Sequence, residues 1–157
     1  MQDATRVEQP HSEFAGFDER ARNTMYAARD EALALNHGHV GTEHVLVGLL
    51  RDSDCVARRA LGDLGVDASA LAERARTIVP PGRAPTTRDP ALSPRAKKAL
   101  MLAVDEARLL KAQTVGTEHL LAGLLAAGDG VAYTTLSDAG VTLAAARAAI
   151  QRHHPTG

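Results

Sequence analysis

The sequence predicts an all-α protein built from two tandem four-helix repeats packed with pseudo-two-fold symmetry. An internal duplication carries most of this. Val40-Gly41-Thr42-Glu43-His44 returns as Val115-Gly116-Thr117-Glu118-His119, 75 residues further on. Between 28–50 and 103–125, 14 of 23 aligned positions are identical without a gap, and Leu61, Asp63, Gly65 and Val66 return as Leu136, Asp138, Gly140 and Val141. A long period present only twice describes two packed units rather than a solenoid, so any site should exist in two versions. Apolar residues also recur at spacings of three and four, and no alternating run competes for a strand.

The elements follow in order. Residues 1–13 are polar and aperiodic and read as a disordered lead-in. Repeat 1 spans 14–79. Its first helix begins near Phe17 and carries a stripe of Phe17, Ala21, Met25, Ala28, Ala32 and Leu35. Asn36-His37-Gly38-His39 breaks it. Thr42 then stands where an N-cap is expected, with Glu43 in the first turn, favourable to the helix dipole. Val45, Leu46, Leu49 and Leu50 are the buried face of that second helix. A third helix from about Asp54 turns Val56, Ala60, Leu61 and Leu64 inward and stops at Gly65. A fourth, capped from Asp67 or Ser69, carries Leu71, Ala75 and Ile78. The proline-rich stretch 80–91 is a linker. Repeat 2, residues 92–154, restarts at Ser93-Pro94, serine at the N-cap and proline at the first helical position. The whole is read as one compact domain.

Composition excludes several functions. The formal charge is −1, from 18 Lys+Arg and 19 Asp+Glu, and aromatics are 3% with no Trp. Neither a polyanion-binding field nor a base-stacking surface is expected, so no nucleic acid partner is. The apolar run from Leu120 to Ala127 is too short to span a bilayer, and the N-terminus lacks an apolar signal segment. A lone Cys55 fits a reduced, cytoplasmic compartment.

The paired helices containing Asp-Glu-Ala, each followed by Val-Gly-Thr-Glu-His and a later Leu-Gly-Val or Ala-Gly-Val, together with Pro94-Arg95-Ala96-Lys97-Lys98-Ala99-Leu100, resemble the N-terminal Clp repeat domain of ClpC-type and ClpA-type unfoldases, ClpC-type above all. The resemblance covers residues 14–154. Those unfoldases carry ATPase modules after this domain, and no G-x-x-x-x-G-K-[ST] loop occurs here. The expectation is a free-standing protein that binds rather than catalyses, with no cofactor. The resemblance implies recognition of protein substrates or adaptors in Clp-dependent proteolysis, and phosphoarginine in two equivalent pockets. Carried over by motif, the ligand carboxylates are Glu43 and Glu118, within boxes that include Thr42 and Thr117.

The phosphate end of each pocket is assigned to a first-helix start. Ser93 with Arg95 offers a hydroxyl, free N–H groups and a cation. Asp18 stands where relatives show Thr or Ser and would repel phosphate. Within each repeat this pairs Asp18 with Glu43 and Ser93 with Glu118, which makes the second pocket the phosphoarginine reader. The resemblance also implies an apolar patch for cyclic-peptide antibiotics near Phe14, Met25 and Leu92, although Phe14 also reads as a hydrophobic staple. Delivery to a ClpC-type ATPase, a decoy role, and a regulator that binds the unfoldase without a small ligand are the roles in view.

His44 and His119 are read as hydrogen-bonded within their turns rather than as metal ligands. His37 and His39 sit near the first, but Ala112 and Thr114 replace them in the second copy, and no cysteine cluster accompanies them. Cys55 is read as a buried thiol.

Overall fold

A computed structural model describes residues 14–85 and 89–153, and the predicted lead-in, 1–13, lies outside them. Eight helices occur among the described residues. They are α1 (Glu19–Ala34), α2 (Thr42–Arg51), α3 (Val56–Asp63), α4 (Ala68–Ile78), α5 (Pro94–Leu109), α6 (Thr117–Ala126), α7 (Val131–Asp138) and α8 (Leu143–Arg152). Each helix of repeat 2 starts 75 residues after its counterpart, so the duplication is one of structure as well as of sequence.

The starts obey capping chemistry. Asp18 and Ser93 cap α1 and α5 by accepting the N–H of Ala21 and Ala96, and Asp67 accepts from Ser69 and Ala70 ahead of α4. The first-helix stripe is buried as the spacing requires, with Ala21, Ala28 and Ala32 fully enclosed. The helix α2 is buried on nearly every side, Val45 to Leu50 included, because it runs through the middle of the molecule. Ile78 departs from expectation: it is 43% exposed at the end of α4, where only Leu71 and Ala75 face inward.

Close helix approach is built on two glycines. A Cβ at Gly48 would lie 2.6 Å from the Thr24 carbonyl oxygen, and one at Gly123 would lie 2.8 Å from the Ala103 nitrogen. Without side chains there, α2 packs directly on the α1 backbone and α6 on that of α5.

The repeats are interlocked rather than merely stacked face to face. The third helix of each leans mainly on the other: α3 packs on α6 and α8, and α7 packs on α2 and α4. One apolar core therefore draws Leu46, Leu49 and Leu61 from repeat 1 and Leu121, Leu124 and Leu136 from repeat 2. A minimal parallel sheet joins β1 (His39–Val40) to β2 (Ala91–Leu92). A Phe17–Val115 bridge is its pseudo-symmetric counterpart. Elements of two residues are too short to show an alternating pattern, which is why none was readable.

Candidate functional site

Each Gly-Thr-Glu-His box forms the start of a buried helix. The N-cap is Gly41, not Thr42: the glycine is extended, with φ −95° and ψ 178°, and Thr42 is already helical. The cause is His44, whose Nδ1 accepts the Gly41 N–H at 2.8 Å, so an imidazole does the work of the glutamate in a capping box. His119 and Gly116 repeat the bond at the same distance. The expected bond inside the turn is thus present in both copies. Thr42 is free to reach across the molecule, where its Oγ1 accepts the Ala132 N–H at 3.2 Å, and Thr117 Oγ1 accepts that of Ala57 at 3.4 Å. The two threonines are buried, at 3% exposure each. Glycine at the cap also makes room for the acid, since a Cβ on Gly41 would come within 2.9 Å of Glu43 Cδ.

The pairing of half-sites is crossed. The Ser93 N–H donates to the Val40 carbonyl at 2.8 Å, which sets the start of α5 against the box of repeat 1. Reciprocally, the Asp18 N–H donates to Val115 O at 2.9 Å, and Asp18 Oδ2 lies 3.1 Å from where a Gly116 Cβ would be, crowding the same glycine as the Glu118 carboxylate. Ser93 therefore belongs with Glu43, and Asp18 with Glu118, the reverse of the pairing expected within each repeat. The reason is the parallel strand pair: β2 immediately precedes α5 and is hydrogen-bonded to β1, which leads into the first box.

The first of these sites is a cleft of about 710 Å³ whose walls include Glu43, Thr42, Ser93, Arg95, Gly130 and Val131. Ser93 Oγ accepts from Ala96 N–H, so its hydroxyl proton is available to a ligand oxygen. Pro94 has no N–H, and the α5 terminus points its dipole at the same space. Arg95 stands 65% exposed at the mouth, 3.6 Å from Asp129. Negative and positive groups thus face one cleft from opposite repeats. The Gly130–Val131 wall was not foreseen: nothing in the linear order places α7 beside the first box.

Three potential metal-ligating atoms, from His37, Glu43 and His44, lie within 4.8 Å of one another. Their hydrogen bonds favour a different role. His44 Nδ1 is an acceptor, so Nε2 carries the proton and donates to His37 Nδ1 at 2.8 Å. His37 Nε2 in turn donates to the Pro80 carbonyl at 2.8 Å. A metal on His44 Nε2 would require an imidazolate, because Nδ1 already uses its lone pair to accept the Gly41 N–H. Burial, reinforced by His37, lowers the His44 pKa against the opposing pull of Glu43 and Glu31, which favours the neutral form of that imidazole.

Phe14, Met25 and Leu92 come together as expected, lining a cavity of about 240 Å³ with Arg29 and Lys97. Phe14 is also buried and packs 5.5 Å from the Phe17 ring, with both rings ahead of the Asp18 cap rather than across it, so the pair is not a staple. Cys55 is a buried thiol that accepts the Arg58 N–H, and burial pushes its pKa up. Among the described residues no single helix is long and apolar enough to cross a membrane.

Comparison with known proteins agrees with this architecture. The chain is 42% identical over 134 residues to the chaperone protein ClpB of Oceanobacillus iheyensis, and 40% identical over 134 residues to the negative regulator of genetic competence ClpC/MecB of Bacillus subtilis; each alignment covers 85% of the chain and 16% of the relative. The chain thus spans about one sixth of the length of these relatives. A ClpV N-domain solved in complex with a VipB peptide shares the fold, with a TM-score of 0.67 and 20% identity over 79% of this chain and 77% of that one. The family model described as the Clp repeat (R) N-terminal domain matches residues 16–139 and 91–157. With two capped boxes, exchanged third helices and this match, the chain belongs to the Clp repeat N-terminal domain family.

Proposed function

We propose that the chain is a protein-recognition module of Clp-dependent proteolysis that reads phosphoarginine on substrates or adaptors, in the service of a ClpC-type ATPase. The observation that supports this is the crossed cleft, where Glu43 of one repeat faces Ser93 and Arg95 of the other. A guanidinium can donate to the Glu43 carboxylate in charge-assisted bonds. The attached phosphoryl group then meets the Ser93 hydroxyl, the free N–H at the α5 terminus and the Arg95 side chain. Asp18 beside Glu118 makes the second site repulsive to phosphate, so one dominant site is expected. The peptide bound to the ClpV N-domain is a precedent within the fold for protein partners. Such a module delivers its cargo or competes for it.

Calorimetric titration of phosphoarginine tests the reading. Binding should be lost in Glu43→Ala, weakened in Arg95→Ala and retained in Glu118→Ala. Loss confined to Glu118→Ala, or no heat from folded wild type, would overturn it. A second reading, capture of an apolar cyclic peptide, is favoured by the cavity at Phe14, Met25 and Leu92. Shifts confined to the Met25 methyl on adding such a compound would support it.

A further inference from the structure

Two arginines stand at matched positions beside the two boxes and are held differently. Arg20 is the second residue of α1 and Arg95 the second of α5, 75 positions apart. Arg95 lines the cleft of Glu43 and Ser93, and its Cδ lies 3.4 Å from where a Gly130 Cβ would be. Arg20 keeps the matched neighbours: Asp54 and Cys55, the counterparts of Asp129 and Gly130, act on its charge. Each first-helix start thus carries a cation suited to a phosphoryl group.

The acids behind the two arginines are not the same. In repeat 1, Nη1 of Arg20 donates to both carboxylate oxygens of Asp52, at 2.6 Å each. Asp52 is fixed in turn, since its Oδ1 accepts the Asp54 N–H at 3.0 Å. Burial would raise the Asp52 carboxyl, but Arg20 and the Asp54 N–H hold it below its ordinary value, so it stays ionised. In repeat 2 the matched position, 127, is alanine. Arg95 is left with Asp129, its Nε 3.6 Å from Oδ2 and beyond hydrogen-bond length, and Asp129 shares its charge with Lys98 at 3.9 Å. A phosphoryl group has only this longer ion pair to displace at Arg95, but two short charge-assisted bonds at Arg20.

We propose that Asp52 is a specificity-determining residue of the paired sites: it withholds Arg20 from the phosphate end at Asp18 and Glu118, whereas alanine at 127 leaves Arg95 available at Ser93 and Glu43. The inference rests on the phosphoarginine reading and gives the asymmetry of the two sites a second cause. Asp18 repels the phosphoryl group directly. Asp52 removes the cation that would receive it, so relief of one leaves the other in force.

Calorimetric titration of phosphoarginine into Asp18→Thr, Asp18→Thr/Asp52→Asn and Asp18→Thr/Asp52→Asn/Arg20→Ala tests it. Asparagine at 52 keeps an oxygen for the Asp54 N–H and removes the charge, so the turn is retained. The weaker, second binding event of Asp18→Thr should tighten about fivefold with Asp52→Asn. Adding Arg20→Ala should cancel that gain, while the first event keeps its affinity throughout. A second event that ignores Asp52→Asn, or is absent from the double variant, would overturn the inference. So would a gain that survives Arg20→Ala, because the acid would then act by its charge and not through the arginine. Nitrogen NMR of the ligand-free wild type reads the clamp itself: the Nη groups of Arg20 should rotate slowly and those of Arg95 rapidly, and equal rates would also overturn it. No binding by folded wild type would sink the phosphoarginine reading and this inference together. Binding by wild type with no response at position 52 would sink the inference alone.

Discussion

Thr42 caps a helix that is not its own. Its hydroxyl accepts the N–H of Ala132, 90 residues away, at the start of α7, whose N-cap Gly130 has no side chain to offer. Thr117 returns the favour at Ala57, but α3 already has the Cys55 sulfur accepting from Arg58. Thr42→Val should therefore destabilise by about 1–3 kcal/mol, the cost of a buried N–H left unpaired, and Thr117→Val by less. Urea titration with unchanged m values checks this, and the opposite order would contradict the capping role.

Two glycine substitutions should have opposite signs. Gly123→Ala would press its methyl into the α5 backbone at Ala103 and should cost about 1–3 kcal/mol. Gly62→Ala, in α3 with nothing within 4 Å of the added carbon, should stabilise by about 0.5–1 kcal/mol through helix propensity. Thermal denaturation of both variants separates close helix approach from a general intolerance of alanine.

Acid should weaken the fold in two stages. His44 is held below the ordinary histidine value of 6.5, chiefly by burial, so below that pH the unfolded chain binds a proton the folded one refuses. Stability is complete above 6.5 and declines as pH falls beneath it. Burial would raise the Glu31 carboxyl, but the guanidinium groups of Arg76 and Arg51 hold it below 4.5. Its contribution is complete above 4.5 and disappears as pH drops through its folded value. Melting temperature against pH should flatten between 6.5 and 4.5 in His44→Gln and below 4.5 in Glu31→Gln. An unchanged profile in either variant would remove that residue from the account.

Asp18→Thr should create a second phosphoarginine site. It removes the carboxylate that crowds Gly116 beside Glu118 and leaves a hydroxyl able to keep the Ala21 cap. Calorimetric stoichiometry should rise from one toward two. An unchanged stoichiometry would mean that something other than Asp18 silences that side.

Much of this was legible in the chain. Ser93-Pro94 announced α5, the offset of 75 carried the order of the repeat 1 helices into repeat 2, and the imidazoles of the boxes were read correctly as bonded within their turns. What escaped was relative placement. An offset says that Asp18 corresponds to Ser93 and Glu43 to Glu118, but not which of them face one another. That depends on a two-residue strand pairing and on exchanged third helices, both made of long-range contacts with no local pattern. Thr42 was misplaced by one position because His44 caps Gly41 from within the box, which leaves the threonine hydroxyl to a partner in the other repeat.

Because α3 and α7 are exchanged and each cleft takes one wall from either half, a single repeat owns neither a closed core nor a complete site. On this geometry a single repeat would need a second copy to close its core and complete a cleft. Joining the copies in one chain lifted the symmetry of such a pair, since a change such as Asp18 no longer appears twice. Each cleft became free to drift toward its own ligand while the shared interior kept both halves bound to a common architecture.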